Sequence, residues 1–317
     1  MPTDLLGVPN TPLVASSGGA KLTISAILKD PTFIEAYLLS IDNYLFVADK
    51  LFRTVQDCPS GTVIYYASTP VFADNNAPVV AEFIEIPTAM TGLGVPSTAI
   101  SQRLALAVLV SEQMRTRNNV DALNIQLRQV RNTLVRGWDQ IFMANLQASI
   151  ITSATFAAGG WQASHQVAAG STWGNASDFT ARTDIASSEA VIANEERGFM
   201  PDFLLIDQTT YFNMLGNPAA WQIYLGNIAN LNPQFIGKLP MAIMGLDTYV
   251  TINGNIPVGS AYVGQRGIFG GISNERPLRA TPWYEHRPEE TWRSDVSRVA
   301  TSFVDQPASL VQITGVR

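Results

Sequence analysis

Apolar residues at Leu123, Leu127, Val130, Leu134, Trp138 and Ile141 follow one another at steps of four, three, four, four and three, the strongest periodic signal in the chain. That spacing lines one face of a helix. It predicts a helix over 119–149, with Asn118 or Asn119 as its cap and Asp121 in the first turn. At roughly 1.5 Å per residue it would be about 45 Å long, longer than many small domains are wide. Periodicity alone favours the core helix of an ordinary α/β protein. Its place after a long hairpin favours a spine.

A second helical pattern, Phe33, Tyr37, Ile41, Tyr44 or Leu45, and Ala48, behind Pro31, predicts an amphipathic helix over 31–52. Residues 1–30 are rich in Pro, Gly, Ser and Thr and read as an extended arm that needs a partner surface. TVIYYAS (62–68) and VVAEFIEI (79–86) read as the strands of a long hairpin, with a turn through 73–78 and with Pro87, Gly92, Gly94 and Pro96 ending the second strand. The hairpin has little core of its own. An isolated two-stranded ribbon is marginal in water, so it is expected to lie on another surface, that of a neighbouring subunit.

RLALAVLV (103–110) alternates larger with smaller apolar residues and predicts a strand. Residues 152–177, rich in Ala, Gly, Ser and Thr, read as a surface excursion anchored at Trp161 and Trp173. Residues 181–197 predict a helix ending at Gly198, PDFLLIDQ (201–208) a buried strand, and 209–221 short helices broken at Gly216 and Pro218. One or two further strands fall within 241–253. The simplest organisation is a discontinuous first domain with a compact α/β domain of about 180–280 inserted in it.

Composition permits this picture. The 317 residues are 46% hydrophobic, enough to bury substantial cores. A lone cysteine, Cys58, excludes an intrachain disulfide and reads as a small buried hydrophobe, with a reducing compartment as the default. The N-terminus shows no basic leader before an apolar run, and no stretch approaches the ~18 apolar residues of a membrane span, so neither export nor a membrane is expected. The net charge of −6 argues against a general nucleic-acid binder, although an anionic wall would let packaged duplex slide. Lysines stand only at Lys21, Lys29, Lys50 and Lys238, the other sixteen basic residues being arginines, which suit interfaces.

The motifs of catalysis are missing. His165 and His286 are the two histidines, and in EHRPEE the spacing of His286 from Glu285, Glu289 and Glu290 is interrupted by Pro288, so no metal site and no cofactor are expected. PVGSAYVG puts Ser260 after a glycine but lacks the GxSxG elbow, and reads as the start of a strand. GQRGIFGG (264–271) lacks the Walker lysine and reads as tight turns. Asn175 opens a glycosylation sequon that should stay unmodified without secretion. Glu195 and Glu196 are adjacent and point apart, which makes a catalytic dyad unexpected.

The order of these stretches, with GSAYVGQRG (259–267) and PASLVQITGV (307–316) in the closing run 256–316, resembles the major capsid proteins of tailed bacteriophages. The resemblance implies an α+β fold with five parts. These are an N-terminal arm with a short helix (1–60), an extended hairpin loop (61–98), a peripheral domain with the spine helix (99–179), an axial α/β domain (180–280), and a second peripheral part of returning strands (281–317). It implies a protein that is not an enzyme and that assembles through hexamers and pentamers into an icosahedral virion shell around double-stranded DNA. Assembly would occur in the host cytoplasm, with a portal and a separate scaffold or decoration protein as partners.

In such a shell the hairpin of one subunit would lie over the spine of the next. Glu82 or Glu85 would then pair with Arg128 or Arg131 of a neighbour. Some members of the family crosslink a hairpin lysine to an asparagine, but 61–98 contain no lysine, so no crosslink is expected. About 60 residues precede the hairpin, so a separate scaffold, or none, is expected in place of a fused one. The rivals are an encapsulin-like compartment shell, separable by its contents, and a soluble α/β enzyme, separable by its small oligomeric state and defined pocket.

Overall fold

The computed structural model describes residues 16–17, 20–21, 24–29, 47–67, 79–80, 86, 88, 94–150, 164–175, 177–218, 220, 242–251, 254–286 and 290–317. Strands β1 (Ser16–Ser17) and β2 (Ala20–Lys21) pair antiparallel, and helix α1 (Ile24–Lys29) follows them. The extended-arm reading therefore fails over 24–29. Ile24 and Ile27 are fully buried, and the Ile24 N–H donates to Asn118 Oδ1 at 2.8 Å. A helix of six residues is too short to show a period, and tertiary burial holds it. Of the helix expected over 31–52, the described end is α2 (Ala48–Leu51), and the rest lies outside the described residues.

After β3 (Arg53–Thr54), strand β4 (Thr62–Ala67) forms a two-stranded antiparallel ribbon with β5 (Val95–Ile100), Thr62 facing Ile100 and Ala67 facing Val95. The return strand is thus 95–100, where 79–86 was expected; of that stretch only Val79, Val80 and Ile86 are described, and none is in a strand. Proline normally ends a strand, yet Pro96 lies within β5. The Ser101 N–H donates to the Gly61 carbonyl at 2.9 Å, so bonding alternates outward from that pair and leaves Tyr66 and Pro96 as a non-bonded pair. The N–H that Pro96 lacks would have pointed away from β4, and the ladder loses nothing.

Strand β6 (Gln102–Ser111) leads into α3 (Glu112–Thr116), capped by Ser111 Oγ on the Met114 N–H. Helix α4 (Val120–Ala148) is the expected spine, 29 residues long, with Asn119 Oδ1 capping the Ala122 N–H. Asn118 takes a left-handed φ of 49° and spends its side chain on α1. Beyond α4 come β7 (Gln166–Ala168), α5 (Ala181–Asn194), β8 (Phe203–Asp207) and α6 (Gln208–Gly216). The chain ends with β9 (Ala242–Ile243), β10 (Leu246–Thr251), β11 (Ser260–Gly264), β12 (Gly270–Ala280), β13 (Tyr284–His286), β14 (Thr291–Val304) and β15 (Leu310–Thr314).

A six-stranded sheet has the order β7-β15-β11-β8-β10-β9, and a second sheet the order β13-β14-β12-β3 with β6 on β14. Strand pairing crosses two of the expected boundaries. β15 belongs to the sheet of 203–264, and β12 leaves that sheet for β14 and β3. β7, expected in a surface excursion, joins β15 in parallel, and Trp173 beside it is fully buried with Nε1 donating to Asp184. Gly264 is needed where β11 passes β15, because a Cβ there would stand 2.8 Å from the Ser309 carbonyl oxygen.

The apolar positions explain the layering. Along β8, Phe203 and Leu205 face a core with Phe52, Trp138, Phe142 and Leu146, while Leu204 and Ile206 face another with Trp173, Ile185 and Met214. Period two thus buries both faces of one strand. Helix α4 bridges two cores, its later residues Trp138, Phe142 and Leu146 in the first and its earlier Val120, Leu123 and Leu127 packed with α1, Val108 and Val296.

Asp139, also on α4, is buried and accepts from the Val47 and Ala48 N–H groups and from Asn255 Nδ2. Burial pushes its carboxyl up to about 6, against the lowering effect of those donors.

Candidate assembly surface

The ribbon presents two unlike faces because residues on a strand alternate. On β4, Val63, Tyr65 and Ala67 turn towards the body, where the Tyr65 ring stacks on Phe303 of β14 at 5.0 Å between centroids. Beside that stack a cleft of about 460 Å³ runs between the ribbon, the end of α4 and β14, lined by Tyr65, Thr98, Asn145, Ser149, Ser302 and Phe303 among others. Its walls carry hydroxyls, amides and apolar groups, with no carboxylate, imidazole or thiol.

The opposite face carries Ile64, 70% exposed, and the half-exposed Tyr66, while Ile100, 71% exposed, stands at the edge of the cleft. Val79 and Ile86 are also exposed. The register sets Ile64 opposite Thr98 and Ile100 opposite Thr62, so exposed apolar and hydroxyl side chains are interleaved along the ribbon.

Of the expected intersubunit contacts, Arg128 is exposed on α4 and Arg131, one turn on, is half-buried, with the exposed Ile125 a turn before. Glu82 and Glu85 lie outside the described residues, so the structure brings neither acid to either arginine. The alternation in TVIYYA was the signal for the outward Ile64 and Tyr66. Nothing local marked Ile100, whose strand begins at Val95 and includes a proline.

The remaining motifs have structural roles. Ser260 starts β11 and accepts from Gln312 Nε2 at 3.0 Å. Gly264 ends β11 and Gly270 and Gly271 open β12, so of the glycines expected in tight turns only Gly267, at a φ of 68°, lies in the connection 265–269. Glu195 is buried 3.5 Å from His165 Nε2, which lies within the core, whereas Glu196 is exposed. His286 belongs to β13, paired with Thr291. Cys58 is buried. Among the described residues there is no cluster of metal-ligating side chains, and no helix is long and apolar enough to cross a membrane.

Among the described residues the ribbon and the long helix thus leave isoleucine, tyrosine and arginine side chains in solvent. In comparison with known proteins, residues 94–313 match the phage capsid protein family, and the chain belongs to it.

Among solved structures, the capsid protein of cyanophage P-SCSP1u shares the fold at TM-score 0.59 and 12% identity, over 99% of this chain and 98% of its own. A phage-related protein of Bordetella bronchiseptica RB50 matches at TM-score 0.57 and 13% identity, over 90% and 97%. The capsid of a native GTA particle matches at TM-score 0.60 and 12% identity, over 87% and 92%. The fold is that of the tailed-phage major capsid proteins. Comparison with curated protein sequences finds no match.

Proposed function

We propose that this chain is the major capsid protein of a tailed bacteriophage, building the virion shell from many copies of itself. The observation that carries the reading is the family match across 94–313, which takes in the spine helix and nearly all of both main sheets, β3 excepted. The exposed Ile64, Tyr66 and Ile100 of the ribbon support it, since apolar area left in solvent suits contact with another copy. The family match also disfavours the encapsulin-like alternative and gives the protein a structural role in place of a catalytic one.

In the finer reading, hexamers and pentamers close an icosahedral shell around double-stranded DNA, assembled in the host cytoplasm with a portal and a scaffold or decoration protein. The region of 99–179 with 281–317 would form the periphery and 180–280 the axial part, with the strand exchanges described above. Individual contacts can be weak, because each subunit makes several and closure multiplies them. The ribbon of one copy would lie over α4 of the next, placing Glu82 or Glu85 near Arg128 or Arg131. Charge reversal at both acids should lower shell yield, and an unchanged yield and shell stability would remove that pairing.

The test of the whole reading is expression of the chain alone, followed by light scattering and negative-stain microscopy. Megadalton shells, or rings of five or six subunits, are expected; a monodisperse monomer that a scaffold does not rescue would overturn it. Nucleic acid within the shells would separate a virion from an enzyme compartment. Mature shells should run as a single band on a denaturing gel, without a ladder, since 61–98 carry no lysine.

A further inference from the structure

The root of the ribbon is built with more care than a loose loop needs. β12 carries a bulge there: Asn274 pairs with Ala300 and Arg276 with Val299, which leaves Glu275 as the extra residue. Bulges re-aim side chains. The Glu275 carboxylate accepts a hydrogen bond from Ser101 Oγ, on the residue that joins β5 to β6.

The other strand root is fixed at the same point. Cys58 N–H donates to the Asn274 carbonyl at 3.1 Å and Gly61 N–H to the Cys58 carbonyl at 3.0 Å. Gly61 has a φ of +72°, and a Cβ on it would stand 3.2 Å from Glu275 Oε2 and 3.3 Å from Ser101 Oγ. Glycine answers both demands at once.

We propose that Glu275 is a positioning residue for the ribbon, a latch through Ser101 that sets the angle at which β4 and β5 leave the body. A two-stranded ribbon acts as a lever, so a small rotation at Gly61 and Ser101 moves Ile64 and Tyr66 by much more. The Tyr65–Phe303 stack is a second restraint further out, and the cleft beside it is open space. The angle decides where the outer face meets a neighbouring copy, a consequence that rests on the shell reading above; the latch itself is a property of the single chain.

The experiment is a distance measurement by pulsed electron resonance on the full-length chain. Spin labels go on Ile64→Cys in the ribbon and Gln140→Cys on the exposed side of α4, in a Cys58→Ala background diluted with unlabelled protein. With Glu275 intact the distance distribution should be narrow. Glu275→Ala should widen it about twofold, because a hydrogen bond to a charged acceptor is lost. Glu275→Gln should restore the narrow distribution, since its amide oxygen accepts the same Ser101 proton, an outcome that a merely structural role for the charge would not give.

If Glu275→Ala does not fold, Ser101→Ala removes the bond from the donor side and serves the same comparison. An unchanged width in these variants overturns the latch. A parent chain that forms no shells would sink the capsid reading instead, with the width comparison still deciding the latch.

Discussion

In the six-stranded sheet, β8 is apolar on both faces and the chain covers both, one with α4 and the other with α5, α6 and Trp173. In the ribbon, β4 and β5 alternate just as regularly, yet among the described residues Tyr65 packs on the body while Ile64 and Ile100 stand in solvent. The difference separates two kinds of burial. The sheet completes its hydrophobic contacts by folding, and the ribbon keeps Ile64 and Ile100 in solvent. A shell subunit needs both, since it must fold before it assembles and still keep apolar area for assembly.

Truncating the sheet should have the largest effect on folding. Phe203→Ala removes a fully buried ring between Phe269 and the α4 core, and should cost about 3–5 kcal/mol in a urea titration of the unassembled chain. A cost near zero would mean that the sheet is not the folding core.

Asp139, at the junction of α4 with residues 47–48 and Asn255, comes next. Its carboxyl is raised from 3.8 to about 6, so the folded chain holds this proton more tightly than the unfolded chain. The stabilising contribution is full below about pH 4 and is lost as pH rises to about 6, amounting to roughly 3 kcal/mol. Asp139→Asn should remove that component of the pH dependence, read as urea midpoints at pH 4 and pH 7. An identical slope in the variant would assign the dependence elsewhere.

Tyr65→Ala breaks the ribbon's inner contact and should destabilise the subunit by about 1 kcal/mol, the scale of one aromatic pair. The exposed isoleucines give the sharpest contrast. Ile64→Ser with Ile100→Ser should change folding by less than about 0.5 kcal/mol, as exposed substitutions do, while shell yield in microscopy falls strongly. Loss of folding without loss of assembly would reverse the comparison.

The spine helix was legible because 29 residues give many repeats of one apolar period, and Asn119 with Asp121 marked its start. The strand 203–207 was legible for a similar reason, an unbroken apolar run between turn residues. Helix α1 was not, since six residues hold too little pattern and its helicity follows from the packing of Ile24 and Ile27. At the assembly surface, Arg128 and Arg131 fall on α4 as the periodicity requires, but the place of Ile100 in the ribbon depended on which strand pairs with β4.

The sequence by itself determined the long amphipathic helix, the buried strands and the absence of familiar catalytic spacings, all set by local period and residue chemistry. Only the tertiary structure decided that β5 and not 79–86 completes the ribbon, that β15 closes the six-stranded sheet, and that β12 leaves it for β14. Pairing between strands separated by tens of residues is chosen by register, by proline at a non-bonding position and by glycine at a close approach. None of these is visible until both strands are side by side.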